Sequence, residues 1–369
     1  MPGDKPLGDE VRVMIVDDSA TIRGLLSRVL EAESGIVVAA SVANGEIALA
    51  TLSRQQIDVA VLDIEMPVMD GLTALPKMIA LKPELQIIMA STLTRKNAEI
   101  SMRALRLGAA DYIAKPSSTD DLHSADDFRQ ELVHKVLALA GAKRRDGKAS
   151  SATAIRPEAK PAGLPQEVTL RVATAHAPQA IAIASSTGGP QALLKVIGDL
   201  RQSLRQPVFI AQHMPASFTA LLAEHISRVA AMPCREGFDG EIVQGGTIYV
   251  APGGRHMEIA SRDGQAAIRL TDEPPENFCR PAADPMFRSL AKVYGRRLCA
   301  VVLTGMGSDG LRGAEAIVAA GGRVIAQDQE TSIVWGMPGA VAMAGLCSAV
   351  MPLSEIAPYL RNLAMRPAA

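Results

Sequence analysis

Three side chains in the second half of the chain have the types that nucleophilic catalysis requires. Ser186 lies in Ala-Ser-Ser-Thr-Gly-Gly-Pro, His213 in Gln-His-Met-Pro, and Asp309 in Gly-Ser-Asp-Gly. A serine hydroxyl attacks an acyl carbon when an imidazole takes its proton and a carboxylate orients the imidazole. Singly, each residue has a more ordinary explanation, because Ser before a helix is a common N-cap and Asp-Gly is a common turn. The hypothesis of catalysis therefore depends on whether the three side chains meet.

Each of these residues follows an apolar run that is typical of a buried parallel strand. The runs are residues 180–184, 207–211 and 299–303. Because the carboxyl ends of parallel strands share one edge of the sheet, we expect the three side chains to lie together there. Their order along the chain, Ser then His then Asp, matches none of the familiar serine hydrolases and predicts another fold for the same chemistry.

The first half of the chain places charged and hydroxyl groups in the same way. Apolar runs there are directly followed by Asp17, Asp18, Asp63, Ser91 and Lys115. Three carboxylates at one sheet edge repel one another by several kcal/mol, so they require a compensating cation. Ligands that are all oxygen favour Mg²⁺, with Lys115 as a fixed positive group.

Strand and helix patterns alternate along both halves of the chain. Residues 11–139 contain five apolar runs, each followed by apolar residues at helical spacing, which predicts a doubly wound parallel α/β sheet. From residue 141 to 176 the periodicity fails and Ala, Pro, Gly and Ser dominate, which predicts a flexible linker. Basic residues at the start of this linker lack neighbouring aromatic residues, which favours a solvated segment over a nucleic-acid site.

Composition limits the remaining classes of function. The 369 residues suffice for two domains, while a formal net charge of −1 and 3% aromatic residues argue against a nucleic-acid partner. The cysteines, at 234, 279, 299 and 347, form no metal-ligand or redox pair, which is typical of a reducing compartment. Without an apolar run of about 18 residues, we expect a cytoplasmic protein that does not insert into membranes.

Motifs in the first half are similar to those of a known domain family. Val-Asp-Asp-Ser, Val-Leu-Asp-Ile-Glu-Met-Pro-Val-Met-Asp-Gly and Tyr-Ile-Ala-Lys-Pro resemble the response-regulator receiver domain over residues 11–135, which implies a flavodoxin-like (βα)5 fold. The resemblance implies that Asp63 accepts a phosphoryl group from a histidine kinase. It implies a Mg²⁺ site made by Asp17, Asp18, Asp63 and the backbone carbonyl of Glu65. It also implies a switch set consisting of Ser91, Tyr112 and Lys115.

Motifs in the second half extend the resemblance to the whole chain. Ala-Ser-Ser-Thr-Gly-Gly-Pro, Gln-His-Met-Pro-Ala-Ser-Phe, Ile-Tyr-Val-Ala-Pro-Gly-Gly-Arg-His, Arg-Pro-Ala-Ala-Asp and Leu-Thr-Gly-Met-Gly-Ser-Asp-Gly resemble the chemotaxis protein-glutamate methylesterase family. The resemblance implies that a catalytic domain, residues 177–366, hydrolyses glutamate methyl esters and deamidates glutamines on chemoreceptors, as a monomer and without a cofactor of its own. Backbone N–H groups near Thr187 and Met306 are the candidate donors to the oxyanion.

The chain departs from the family pattern at three positions. Ser185 replaces a small apolar residue, Ser308 stands where Asn is common, and Cys279 stands where we expect His. No base adjoins Cys279 in the sequence, so we do not expect it to be a nucleophile. Because a triad does not name its substrate, an esterase for another substrate and a non-catalytic receptor-binding module stay open.

Overall fold

The computed structural model describes residues 10–92, 94–115, 122–149, 168–172, 176–200, 204–230 and 232–365. The chain divides into two compact units between residues 154 and 155, here called the first and second units. Each unit has its own parallel sheet. In the part of the chain that is described, no helix combines the length and the apolar character needed to cross a membrane.

The first unit alternates strands and helices. Its strands are β1 (Val11–Val16), β2 (Ile36–Val42), β3 (Val59–Asp63), β4 (Gln86–Ser91) and β5 (Asp111–Ala114). Its helices are α1 (Ala20–Glu31), α2 (Gly45–Leu52), α3 (Gly71–Leu81), α4 (Arg95–Arg106) and α5 (Leu122–Ala149). The strands are parallel in the order β2-β1-β3-β4-β5, which confirms the predicted flavodoxin-like topology.

Local chemistry explains where these elements begin. The helices α1, α2, α3 and α4 start after side chains that accept a backbone N–H of the first turn, namely Ser19, Asn44, Asp70 and Thr94. Strand β3 is buried along its whole length, as a central strand covered on both faces must be. Asp63 is the last residue of β3, so its carboxylate lies at the carboxyl edge of the sheet.

Helix α5 corrects the predicted start of the linker. It continues to Ala149, beyond residue 141, where the loss of apolar periodicity predicted the linker to begin. Residues 141–149 are mostly Ala, Lys, Arg and Gly, and Ala, Lys and Arg favour helix even without an apolar face. Residues 150–167, the central part of the predicted linker, lie outside the described residues. Near the end of the predicted linker, the Arg171 N–H donates to the Cys347 carbonyl at 2.8 Å, so this part of the predicted linker is bonded within the second unit.

The second unit contains a larger sheet. Its strands are β6 (Ala180–Ser185), β7 (Val208–Gln212), β8 (Cys234–Glu236), β9 (Ile248–Val250), β10 (His256–Arg262), β11 (Gln265–Thr271), β12 (Leu298–Val302), β13 (Arg323–Gln327) and β14 (Ala349–Met351). Its helices are α6 (Gly189–Leu200), α7 (Ala216–Ala230), α8 (Ala283–Tyr294), α9 (Leu311–Ala319), α10 (Met337–Met343) and α11 (Leu353–Ala364). Seven of these strands form a parallel sheet in the order β14-β13-β12-β6-β7-β9-β8, which confirms the predicted α/β class.

This strand order places a reversal of direction at β6. Strand β6 lies between β7 and β12, so β7 and β9 are on one side of it and the later strands β12, β13 and β14 are on the other. Ligands of such sheets bind where the strand order reverses in this way. Below the edge the core is apolar and includes Phe209 and Tyr249, whose stacked rings lie 5.6 Å apart. The carboxyl ends of the three strands are therefore neighbours on a rigid base.

The sequence reading missed the antiparallel hairpin of β10 and β11. Its turn is Asp263-Gly264, and both residues have positive φ. Asp-Gly between alternating segments is a strong hairpin signal, so this element was readable from the sequence. The hairpin interrupts the alternation of strand and helix before α8.

Candidate active site

Ser186 follows β6 and is held by its backbone. Its N–H donates to the Thr304 carbonyl at 3.1 Å, and the Gln212 side-chain amide donates to the Ser186 carbonyl at 2.9 Å. Ser185, one of the three departures from the expected pattern, donates its hydroxyl to Gln212 Oε1 at 2.6 Å. The carboxyl ends of β6, β7 and β12 together fix the turn that carries Ser186.

Two glycines permit the close approach that this turn needs. A Cβ at Gly305 would lie 3.0 Å from the Cβ of Ser186 and 2.5 Å from the Met337 sulfur. A Cβ at Gly189 would lie 2.1 Å from Oε1 of Gln212. A side chain at either position would therefore force neighbouring side chains to shift, among them the Gln212 amide that supports Ser186.

His213 follows β7 and reaches the carboxylate that follows β12. Its Nε2 lies 2.7 Å from Oδ2 of Asp309. The His213 side chain is 12% exposed and that of Asp309 is 2% exposed, so the pair is largely shielded from water. The His213 N–H also donates to the Ser185 carbonyl at 3.2 Å, which places His213 beside the turn of Ser186. The structure thus brings these predicted residues to one edge of the sheet.

Asp309 is enclosed by hydrogen-bond donors. In addition to His213, it accepts bonds from the backbone N–H groups of Ala283, Asp284 and Gly310 and from the Asn277 side chain. Two of these N–H groups belong to the first turn of α8, where the helix dipole favours negative charge. Burial would raise the pKa of Asp309, but the bond to His213 and these backbone donors lower it. Asp309 is therefore an anion that can orient an imidazole.

Sequence reasoning missed Asn277. Its Nδ2 donates to Oδ1 of Asp309 at 2.9 Å and to Oδ2 of Asp284 at 3.0 Å, so one amide joins two carboxylates. Burial and the nearby Asp309 charge raise the pKa of Asp284. Asn277 lies in a loop between the hairpin and α8, and no motif in the sequence predicts a role for it. The contact joins residues 32 positions apart in the chain, so only the folded structure reveals it.

Cys279 contacts the other nitrogen of the imidazole. Its Sγ lies 3.2 Å from Nδ1 of His213, although no base adjoins it in the sequence. Burial lowers the pKa of His213, but the sulfur on Nδ1 and the Asp309 carboxylate on Nε2 together raise it to about 10. The imidazole in this structure therefore has a partner at each nitrogen and favours its protonated form.

The candidate oxyanion donors lie on the two loops beside Ser186. Thr187 is buried, and its carbonyl accepts the Thr304 hydroxyl at 3.0 Å. Met306 follows Gly305, whose N–H donates to the Val334 carbonyl at 3.0 Å. Within the described residues, the Thr187 hydroxyl has no hydrogen-bond partner. Both loops are thus anchored at positions that adjoin the candidate N–H groups.

The first unit gathers the predicted acidic residues at its own sheet edge. Lys115 Nζ lies 2.6 Å from Oδ2 of Asp17 and 2.6 Å from Oδ1 of Asp63. One oxygen each of Asp17, Asp18 and Asp63 lie within 4.8 Å of one another. Burial raises the pKa of Asp63, and the Lys115 bond opposes this rise. This donor set, all oxygen, has the chemistry that Mg²⁺ prefers.

Glu65 and Asp18 line an open cavity of about 460 Å³ beside these carboxylates. Asp63 is buried, whereas Asp18 and Glu65 are exposed, so the acidic cluster has one side open to solvent. Small molecules from solvent can therefore reach the exposed members of this cluster through the cavity.

The predicted switch residues point inward. Ser91 is buried, and its hydroxyl lies 3.1 Å from that of Ser101. Tyr112 is buried, with Lys135 Nζ 4.9 Å from its ring centre and 2.6 Å from its backbone carbonyl. Lys135 also pairs with Asp111 at 3.2 Å. Sequence reasoning missed Ser101 and Lys135, because their partners come from other elements.

Comparisons with known proteins agree with this division into two units. The family model described as CheB methylesterase matches residues 181–360, and that of the response regulator receiver domain matches residues 13–126. A protein-glutamate methylesterase/protein-glutamine glutaminase of Paramagnetospirillum magneticum is 54% identical over 98% of both chains. One of Azospirillum brasilense is 55% identical over 98% of this chain and 94% of its own. The crystal structure of the CheB methylesterase catalytic domain of Thermotoga maritima is 37% identical, covers 50% of this chain and 98% of its own, and has a TM-score of 0.49.

Proposed function

Because this chain belongs to the family of protein-glutamate methylesterases/protein-glutamine glutaminases that carry a receiver domain, we propose that Ser186, His213 and Asp309 form its catalytic triad. The reaction is hydrolysis of glutamate methyl esters, and deamidation of glutamines, on chemoreceptors. The observation that carries the proposal is the shielded contact of 2.7 Å between His213 and Asp309 at the sheet edge that also holds Ser186. Loss of turnover in Ser186→Ala tests it.

The hydrogen bonds of His213 support a separate role for each ring nitrogen. Asp309 holds Nε2, so Nδ1 is the nitrogen that accepts the proton of Ser186. As the Ser186 oxygen bonds to the acyl carbon, its proton moves to Nδ1 and the carbonyl oxygen becomes an anion. The N–H groups of Thr187 and Met306 donate to this oxyanion, which is the group that changes most in charge.

Collapse of the tetrahedral intermediate releases the leaving group. The acyl carbon expels methoxide or the amide nitrogen, which takes the proton from Nδ1 and departs as methanol or ammonia. Water then gives a proton to Nδ1 and attacks the acyl-enzyme, and Ser186 leaves with that proton. The product is a glutamate carboxylate from either substrate, so one site performs both reactions.

The first unit supplies the regulatory chemistry. Asp63 accepts a phosphoryl group from a histidine kinase, with Asp17, Asp18, Asp63 and the Glu65 carbonyl as the ligands of Mg²⁺. The ion, when bound, neutralises charge on the transferred group. Phosphorylation adds negative charge and acceptor oxygens, which attract Ser91 and Lys115 and thereby remodel the surface formed by β4 and β5. The protein acts in the cytoplasm as a monomer whose partners are the kinase and the receptors.

Removal of the first unit should raise the rate of ester hydrolysis, because we propose that the unphosphorylated receiver restrains the catalytic unit. A fragment from residue 165 to 369 keeps the bond between Arg171 and Cys347. We expect it to release methanol from methylated receptor membranes several times faster than the unphosphorylated full chain. Addition of a small phosphodonor with Mg²⁺ should accelerate the full chain only. Equal rates of fragment and full chain would exclude restraint by the receiver.

The pH dependence of hydrolysis should report the raised pKa of His213. Only neutral imidazole accepts the Ser186 proton, and its fraction grows as pH rises toward the pKa of about 10. We expect kcat/KM for a soluble ester, measured on the fragment, to increase from pH 7 upward and to level off near pH 10. Spontaneous hydrolysis is subtracted with the Ser186→Ala fragment. A rate that is constant from pH 7 to 9 would contradict this assignment.

A further inference from the structure

The contact between Cys279 and His213 has the geometry of a thiol nucleophile and its base. Sγ lies 3.2 Å from Nδ1, and Nε2 is oriented by Asp309 at 2.7 Å. Thiol enzymes activate sulfur with the same three types of group, because imidazole takes the thiol proton and a polar partner stabilises the imidazolium. Cys279 is partly exposed, so small molecules can reach the sulfur.

The loop around Cys279 holds the sulfur in place. The Cys279 N–H donates to the Glu276 carbonyl at 2.9 Å, and the Glu276 N–H donates back to the Cys279 carbonyl at 3.2 Å. The Glu276 carboxylate pairs with Arg288 of α8. Between them, Asn277 binds Asp309, and both Asn277 and Phe278 have positive φ. A loop with this many anchors presents its cysteine to the imidazole in a defined geometry.

We propose that Cys279 and His213 form a reactive thiol–imidazole pair, and that Cys279 is a covalent modification site for soft electrophiles such as alkyl halides. A group attached to Sγ lies beside Nδ1, the nitrogen that accepts the Ser186 proton, and therefore stops hydrolysis. This consequence rests on the proposed function, whereas the reactivity of the sulfur does not.

The reaction balances within the site. The thiol proton moves to Nδ1 of His213, and the thiolate attacks the carbon that bears the halogen. The S–C bond forms as the C–halogen bond breaks, and halide leaves with the electron pair. His213 then returns its proton to solvent. The raised pKa of His213 agrees with a ring that holds this proton.

The other cysteines provide controls in the same chain. Cys299 and Cys347 are buried, whereas Cys234 in β8 is partly exposed like Cys279. Burial raises the pKa of each of these three thiols to about 12, so they are protonated at neutral pH. Thiolate is the reactive form, and Cys234 is therefore an accessible but unreactive reference.

Iodoacetamide labelling of the full chain tests the pair. Carbamidomethylation at Cys279 and Cys234 is followed by peptide mass spectrometry at pH 7.5, together with methanol release from methylated receptor membranes. We expect Cys279 to react at least about ten times faster than Cys234, and hydrolysis to fall at the rate of Cys279 labelling. His213→Gln should slow labelling of Cys279 about ten-fold or more, and this readout needs no esterase activity.

Two variants separate the possible outcomes. Cys234→Ser should lose activity to iodoacetamide as fast as the natural sequence, and the hydrolysis that remains in Cys279→Ala should be insensitive to it. Labelling of Cys279 no faster than Cys234, or complete labelling with unchanged hydrolysis, would overturn the proposal. A chain with no esterase activity would refute the proposed function, while the labelling rates would still decide the reactivity of Cys279.

Discussion

Ser186→Ala should reduce methanol release from methylated receptor membranes by about 10³-fold or more. The substitution removes the attacking oxygen and leaves the contact between His213 and Asp309 intact. The residual rate would come from binding and oxyanion stabilisation alone. The measurement is release of labelled methanol by the fragment from residue 165 to 369, which avoids the effect of the receiver.

The neighbouring serine provides a matched control. Ser185 differs from Ser186 by one position, and its hydroxyl donates to Gln212 Oε1 at 2.6 Å. Ser185→Ala should therefore retain far more activity than Ser186→Ala, because it weakens only the support of the turn. If Ser186→Ala released methanol at a near-normal rate, in a preparation free of other esterases, the nucleophile would be another group.

Variants at the other two positions test whether the residues act as one unit. His213→Ala removes the base and should cost about as much as Ser186→Ala. Asp309→Asn should cost as much or somewhat less, because it disturbs the orientation of His213 but keeps both reacting groups. The double variant Ser186→Ala with His213→Ala should be little worse than Ser186→Ala alone. Additive losses would argue for separate roles.

Asp63→Asn should abolish phosphorylation of the protein by a histidine kinase or by a small phosphodonor in Mg²⁺. Asp63 is the acidic residue that ends the central strand β3, and its carboxylate lies 2.6 Å from Lys115. An amide at this position is a much weaker nucleophile and removes one anionic oxygen from the metal site. Incorporation of labelled phosphate measures the effect, and circular dichroism checks the fold.

Asp58 is a suitable control for this variant. It precedes β3, so it lies at the opposite end of the strand from Asp63, where its carboxylate accepts the Arg12 N–H at 2.9 Å. Asp58→Asn should accept phosphate normally. Undiminished labelling of Asp63→Asn would show that another residue is the acceptor. The isolated catalytic fragment lacks Asp63. Its rate of ester hydrolysis is therefore the reference, independent of phosphorylation, for the hydrolysis rates of both variants.

The order of residues along the chain determined the α/β class. It also determined many of the side chains that meet at the carboxyl edges of the two parallel sheets. Apolar runs and helical spacing are local patterns, and parallel strands align their carboxyl ends whatever their order in the sheet. For this reason the meeting of His213 with Asp309, and of Asp17 and Asp63 with Lys115, was predictable. The hairpin at Asp263-Gly264 was also readable, since its signal is local.

Tertiary structure decided which side chains surround the site residues that were predicted from the sequence. Asn277 bonds to Asp309, Cys279 contacts His213, and Lys135 packs on Tyr112 because loops and helices from distant positions meet there. No periodicity encodes such contacts, since they depend on strand order and on the packing of α5 and α8 against the sheets. These contacts set the protonation of the imidazole and the charge of Asp309, because burial and neighbouring charges act through space rather than along the chain.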